Sequence, residues 1–420
     1  MEADEPNPGL HLFEGYGIEL EYMIAHRDTL DVLPVADELL RAACGAYDEE
    51  IERGPLCWSN ELILHVIEFK TNGPAPALDG VAEQFQDAVR QANDLLGPLN
   101  GRLMPSAMHP WMDPFTQARL WPHAYSEIYE SYNRIFDCRG HGWANLQSMH
   151  INLPFQGDEE FARLHAAIRL LMPIMPALAA SSPLADSRAT GFHDTRLETY
   201  AHNADRIPTI AGDVIPEPVF SIDAYQQLLQ RLYRDIAPFD PRGILQHEWL
   251  NSRGAIARFE RGSIEIRVLD IQECPAADLA VAALICETLR ALARQAWQPL
   301  AAQMCWPVWP LKSLLDDCVR RGQDAVIRNK EYLAQFGVLD TDIMSARALW
   351  RRLFEFTYDS APPHMQAVLE PALHILEHGT LAGRILSAAG PAPAPDRLHA
   401  IYSRLCHCLE QGAMFNEKDI

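Results

Sequence analysis

Hydrophobic and polar residues alternate with a period of two in three stretches of this chain, each predicting a half-buried β-strand, and a fourth, mostly apolar stretch also predicts a strand. In residues 16–24, YGIELEYMI, Ile18, Leu20, Tyr22 and Ile24 face one way while Glu19 and Glu21 face the other. Residues 61–70, ELILHVIEFK, predict a strand, or a strand behind a short helical turn, flanked by Glu61 and Glu68. In residues 147–153, QSMHINL, the apolar Met149, Ile151 and Leu153 oppose Ser148, His150 and Asn152. In residues 263–270, SIEIRVLD, Ile264, Ile266 and Val268 oppose Glu265 and Arg267. A further short strand is predicted over 102–108.

Elsewhere the apolar spacing is three to four. Val81, Phe85, Ala88, Ala92 and Leu95 predict an amphipathic helix over 78–99, ended by Pro98. Helices are also predicted over 34–47, 159–180 and 223–234, and through most of the chain from Ala276 on. Residues 185–221 are turn-rich, and a loop this long inside a compact domain is usually functional or disordered. Strands separated by helices and long loops, without regular βαβ spacing, predict an α+β protein with an antiparallel sheet. The chain divides into an acidic leader (1–14), a main body (15–295) and a helical C-terminal region (296–420). That last region packs on the same body, or serves as an oligomer interface, a lid or a specificity element.

Composition narrows the partners. With 35 basic and 57 acidic residues the formal charge is −22, which disfavours nucleic acid and anionic membranes. An anionic substrate on such a protein needs local metal ions and arginines. The nine cysteines are scattered and odd in number, which fits reduced thiols in a cytosolic protein. The Cys406-His407-Cys408 group reads as helical side chains rather than a zinc site, because no second ligand pair accompanies it. The start of the chain has no basic and apolar signal segment, and no apolar run of about 18 residues follows. A cytoplasmic location is the expectation.

The chemistry is carried by the polar faces of the strands. If the four strands pair in one sheet, Glu19, Glu21, Glu61, Glu68 and Glu265 converge with His150 on one face. An alternating strand with a polar outer face is ordinary by itself, but four strands with central ionisable groups are not. Clustered carboxylates repel and need neutralising. Hard divalent cations do this, and Mg²⁺ or Mn²⁺ with ATP phosphates is the natural case.

Five segments in this order resemble the glutamate–cysteine ligase type 2 family. They are Gly17-Ile18-Glu19-Leu20-Glu21, Glu61 through Glu68-Phe69, Met108-His109-Pro110-Trp111, Met149-His150-Ile151-Asn152, and Gly262 through Asp270. The resemblance covers about residues 15–295. It implies a glutamine synthetase-like fold: a curved, mainly antiparallel sheet with flanking helices, and a concave side holding ATP, metals and substrate. It implies Glu19, Glu21, Glu61, Glu68, His150 and Glu265 as metal ligands. Glu265 and Arg267 would be catalytic, with Arg267 and Arg258 on ATP phosphates. Arg188, Arg196, Tyr200, Arg206 and His109 would bind substrate, although His109 before Pro110-Trp111 also suits a turn. The sequence departs from the family pattern at Lys70-Thr71-Asn72-Gly73. It also offers three arginines, Arg253, Arg258 and Arg261, for one phosphate-binding position.

The implied reaction is ATP-dependent joining of a carboxylate to an amine through an acyl phosphate, with glutamate and cysteine as default substrates and a peptide acceptor left open. Water must be excluded from such an intermediate, and residues 185–218, rich in Gly, Pro and Arg, suit a closing segment. Two alternatives stand: a metal–ATP phosphotransferase of guanidino-kinase type, and a binding protein that keeps the fold without activity. A homo-oligomer is compatible with each. His65 reads as a packed histidine, and the aromatic run over 121–143 reads as core.

Overall fold

The computed structural model describes residues 9–420. Most of the acidic leader, residues 1–8, lies outside the described residues. Residues 9–14 pack back on the body: His11 Nδ1 lies 2.8 Å from Glu160, and Phe13 is buried with the Arg290 guanidinium 4.7 Å from its ring centre.

Eight strands form one sheet: β1 (Gly17–His26), β2 (Glu50–Arg53), β3 (Leu56–Asn60), β4 (Val66–Thr71), β5 (Gly101–Met104), β6 (Ser148–Pro154), β7 (Ala255–Arg258) and β8 (Ser263–Asp270). Their order is β2-β3-β4-β1-β6-β8-β7, with β5 paired to the far end of β1. Every pairing is antiparallel. The sheet is open, helices flank it, and the C-terminal part is helical, so the α+β architecture stands.

The alternating segments set the register. Residues opposite one another in an antiparallel pair share a face. Ile18 opposes Ile151, Leu20 opposes Phe69, and Ile264 opposes Leu153, which builds an apolar underside. Helix Pro275–Ala293 lies within this core, buried along nearly its whole length. It is apolar on all sides, as a fully enclosed helix must be. It packs against helices Val81–Leu96, Gly157–Leu171 and Pro363–His378.

Residues 296–420 pack against the main body. Leu311, Leu349, Leu369 and Ile375 join the main cluster. Helices Leu381–Ala389 and Pro395–Gln411 form a second cluster with Met23, Ala25 and Met104 at the end of the sheet where β5 pairs. Arg384 ties the tail down by an ion pair with Glu273, and also donates to the Phe415 carbonyl. Cys406 and Cys408 are buried on the last helix, as their helical reading requires.

Three features differ from the sequence pattern. Hairpin β2–β3 and strand β7 escape it because each is only four or five residues long. Helix Ser126–Phe136 lies inside the aromatic run. The turn-rich stretch after 185 carries a small hairpin and helix Thr195–Ala201. From there Leu197, Ile207, Ile210 and Val214 are buried in the main core. A freely closing lid draws on segments with few buried contacts. The closing role expected of residues 185–218 therefore does not suit the part from 194 to 216. Among the described residues no helix is long and apolar enough to cross a membrane.

Candidate functional site

The polar face of the sheet gathers the ionisable residues. Glu19 opposes His150 and Lys70, Glu21 opposes Glu68, and Glu265 opposes Asn152. Because His150 and Asn152 are two residues apart on one strand, all of these side chains share one face. Ligand atoms of Glu19, His150 and Glu265 lie within 4.8 Å of one another, as do those of Glu21, Glu68 and His150. Glu61 precedes β4 and lines the same cleft beside Glu21 and His150.

His150 holds the centre. Its Nδ1 lies 2.8 Å from Glu19 Oε2, and its Nε2 lies 2.9 Å from Ser148 Oγ. Ser148 also donates from its backbone N–H and its hydroxyl to Glu21 Oε2. Burial disfavours charge on His150, yet the Glu19 hydrogen bond and the Glu21 and Glu19 carboxylates hold its pKa up to about 9. Burial alone would raise Glu19, but the bond from His150 and the charges of His150, Lys70 and Arg261 hold it well below the usual range. The protonated imidazole thus acts as the cation that this acidic cluster needs.

One cation does not suffice. Burial, then repulsion from Glu19, pushes Glu68 up to about 7, even with Lys70 3.4 Å away and Ser59 donating at 2.6 Å. Burial and the Glu21 and Glu68 charges push Glu61 well above its ordinary value. Like charges on Glu21 and Glu68 face each other across β1 and β4, an arrangement that is destabilising unless neutralised. This donor set, carboxylate oxygens with one imidazole, fits Mg²⁺ or Mn²⁺.

A stability measurement follows from Glu68. Its folded pKa of about 7 lies above the ordinary 4.5. The cost of its charge is therefore absent below pH 4.5 and is fully incurred once the pH has risen through 7. Glu68→Gln, which can still accept from Ser59, is expected to stabilise the metal-free protein by about 2 kcal/mol at pH 8 and by little at pH 4.5. Chemical denaturation at both pH values checks this. Equal effects at the two would show that charge repulsion is not the cause.

The arginines divide. Arg267 lies 3.0 Å from Glu265 Oε1 and lines the cleft. Arg258 Nη1 donates to Glu265 Oε2 at 2.7 Å. A register shift between Ile266 and Leu269 sets the strand locally off its neighbour, and there the Arg267 N–H donates to the Gly254 carbonyl. Gly254 tolerates no side chain, because a Cβ would collide with Val268 and Met172. Arg253 is occupied by Glu217. Arg261 is half exposed and lies 3.9 Å from Glu19.

Of the expected substrate residues, the structure brings Arg196 and Tyr200 into the cleft. Arg196 is buried, and its Nε donates to Asp270 at 2.5 Å while Nη2 donates to the Arg267 carbonyl. Three others are not brought there. Arg188 is exposed on the small hairpin beside Asp186. Arg206 donates to the Ile135 carbonyl and covers Phe239. His109 is fully enclosed, its Nε2 2.7 Å from the Leu30 carbonyl, and burial lowers its pKa to about 4, which suits a neutral structural residue. It therefore holds a turn, the other reading its sequence context offers.

The residues that strand periodicity missed are aromatic. Tyr125, Tyr129, Tyr132, Trp143 and Trp249 line a cleft of about 350 Å³ above the acidic face. The available signal was the spacing of Tyr125, Ile128, Tyr129 and Tyr132, which is one helix face. A second opening, of about 520 Å³, lies on the Glu19 side and is lined by Lys70, Asn72, Arg261 and Gly262.

An open antiparallel sheet with an acidic working face and a helical C-terminal part places the chain among proteins with the glutamate–cysteine ligase fold. The glutamate–cysteine ligase of Francisella tularensis, solved in complex with AMP, superposes with a TM-score of 0.65 at 15% identity, over 94% of this chain and 88% of that one. A bifunctional glutathione synthetase from Pasteurella multocida gives a TM-score of 0.59 at 14% identity, over 96% of this chain and 52% of that one. The chain belongs to glutamate–cysteine ligase family 2, whose model matches residues 16–318. A protein of Archaeoglobus fulgidus described as uncharacterized is 36% identical over 276 residues, 66% of this chain and 74% of its own. A Bradyrhizobium protein named "Putative glutamate–cysteine ligase 2" is 29% identical over 286 residues, 66% of this chain. That alignment spans 61% of the Bradyrhizobium protein's length.

Proposed function

We propose that this protein is an ATP-dependent carboxylate–amine ligase that forms a γ-glutamyl-type amide through an acyl phosphate. The observation that carries the reading is the acidic face itself, with Glu19, Glu21, Glu68, His150 and Glu265 together and Arg258 and Arg267 alongside. A protein that bound only a neutral ligand would gain nothing from this repulsion.

Glu19, Glu21, Glu68, His150 and Glu265 would hold Mg²⁺ or Mn²⁺, with Glu61 at the edge of the set. The bound ion would neutralise these carboxylates and draw charge from the ATP phosphates. His150 must give up its proton to become a ligand, so loading the site releases protons. Arg267, planar and at the cleft wall, is placed to hold phosphate oxygens in two parallel hydrogen bonds. Arg258 lies beside it on the same carboxylate. Arg196, clamped by buried Asp270, is a fixed cation in the cleft suited to a substrate carboxylate. The aromatic walls limit water around a hydrolysable acyl phosphate.

In the reaction the substrate carboxylate oxygen attacks the γ-phosphorus and ADP leaves. The amine nitrogen then forms the C–N bond, the acyl C–O bond breaks, and phosphate departs with the electron pair. Glutamate and cysteine are the default substrates, and the family's name supports them. An ADP-release assay over panels of acids and amines, with mass detection of product, tests the proposal. ADP release that needs both acid and amine supports a ligase. A stable phosphorylated product would mean a phosphotransferase, and no ADP with any pair would mean a non-catalytic protein.

A further inference from the structure

We propose that the amine accepted in this cleft is carried on an aromatic ring, as in an arylalkylamine, rather than on the small polar body of cysteine. This rests on the ligase reading and names its acceptor class. The cleft above the acidic face has one wall built by helix Ser126–Phe136 and the residue before it. Tyr125, Ile128, Tyr129 and Tyr132 all line the cleft and follow helical spacing. In a core, such a stripe is closed by another element. Here Tyr132 at the inner end is closed into the core, while the outer end opens onto the cleft, where Tyr125 at the mouth is 56% exposed.

Two tryptophans packed on Tyr132 continue this aromatic surface. Trp143 and Trp249 stand 5.2 Å and 5.9 Å from Tyr132, measured between ring centres. The polar tips of two of these rings are already engaged by the protein. Trp143 Nε1 donates to the Asn203 carbonyl at 2.9 Å, and the Tyr129 hydroxyl accepts from Asn60 at 3.0 Å. What Trp143 offers a ligand is ring carbon, and Tyr129 offers its ring with one hydroxyl proton still to donate. A second ring among them gains about 0.5–1.5 kcal/mol per aromatic pair beyond its buried area. The side chain of cysteine gains none of that pairing.

The acid end of the cleft supplies the other half of the recognition. Glu61 lines it and enters no salt bridge among the described residues, its hydrogen bond being the long 3.4 Å contact from its neighbour Leu62. An amine arriving there meets the Glu61 carboxyl as a hydrogen-bond partner, while its ring lies against the tyrosines and tryptophans. The nitrogen leaves its ammonium proton to solvent, forms the C–N bond to the acyl carbon, and gives a second proton to the departing phosphate, which takes the electron pair of the broken acyl C–O bond. The opening on the Glu19 side, lined by Lys70 and Arg261, can take the rest of the nucleotide whose γ-phosphate Arg267 would hold at the cleft.

The probe is 2-phenylethylamine, compared with L-cysteine at fixed glutamate, ATP and Mg²⁺. ADP release and product mass report turnover, and tryptophan fluorescence reports binding without turnover. The expected result is a kcat/KM for 2-phenylethylamine at least about tenfold above that for cysteine. Tyr129→Ala and Trp143→Ala should each raise the KM for that amine about tenfold and leave the KM for ATP unchanged. Trp143→Phe keeps a ring and should restore most of the loss, which separates recognition from misfolding. Preference for cysteine, or variants that shift the KM for ATP instead, would overturn the acceptor assignment. Binding of 2-phenylethylamine that depends on Tyr129, without ADP release from any pair, would overturn the ligase reading and keep the aromatic site. Neither binding nor turnover would overturn both.

Discussion

Replacing Glu265 by glutamine is expected to lower ADP release by about 10²–10³-fold and to destabilise the fold by about 2 kcal/mol. The two effects have separate origins. Glu265 is nearly fully buried, and its ligand atom lies within 4.8 Å of those of Glu19 and His150. Its loss removes one charged ligand from a small set. It is also the common partner of Arg258 and Arg267, at 2.7 Å and 3.0 Å. A neutral glutamine can still accept from one arginine, but it leaves the guanidinium pair less compensated. This sets Glu265 apart from Glu68, whose neutralisation relieves repulsion. Titration with Mn²⁺ and chemical denaturation, run beside the activity assay, read the effects independently. Near-normal ADP release at saturating Mg²⁺ would remove Glu265 from the working site.

Arg267→Lys is expected to fold normally, to keep its affinity for Mn²⁺, and to lose turnover by at least about tenfold, or about 1.4 kcal/mol. Two roles compete for this residue. As a counter-ion, it neutralises Glu265 within an acidic face, and a lysine would do much of that. As a phosphate clamp, its planar fork makes paired hydrogen bonds that an ammonium group cannot. The structure shows the counter-ion contact, and it also leaves Arg267 partly open to the cleft. Both roles can therefore operate, and only the second is sensitive to geometry at constant charge. The measurement is kcat at saturating ATP and Mg²⁺, with the melting temperature as control. Unchanged kcat would leave only the counter-ion role.

Strand periodicity was enough to place Glu19, Glu21, Glu68, His150 and Glu265 on polar strand faces. Around Glu19, Glu21, His150 and Glu265 the period is two, with Ile, Leu and Met opposite that must be buried, and Glu68 stands between Ile67 and Phe69. Strand β8, Ser263–Asp270, has the bounds its alternation predicts. The helix over 81–96 was legible for a similar reason, its apolar stripe being long and regular. Hairpin β2–β3 and strand β7 were not, because four or five residues hold too little of a repeat to stand out.

Pairing belongs to tertiary structure alone. Alternation says that Glu19 and His150 each face away from a core, and only the register says that they face each other. The same holds for the arginines and the aromatic stripe. Arg188, Arg196 and Arg206 are alike in sequence, yet one points to solvent, one is clamped by Asp270 in the cleft, and one caps a carbonyl. Their fates depend on partners 71 or more residues distant, or on burial, which no local pattern encodes. The aromatic run reads as core, and Tyr132 is buried there with Tyr129 packed against it. That the same helix face also borders a cleft at Tyr125 depends on what lies opposite, which helical spacing does not show. The sequence by itself therefore determined which chemistry each element carries, since side-chain direction follows from local backbone period. Where those chemistries meet was decided by long-range packing, since burial and strand pairing join segments that are far apart along the chain.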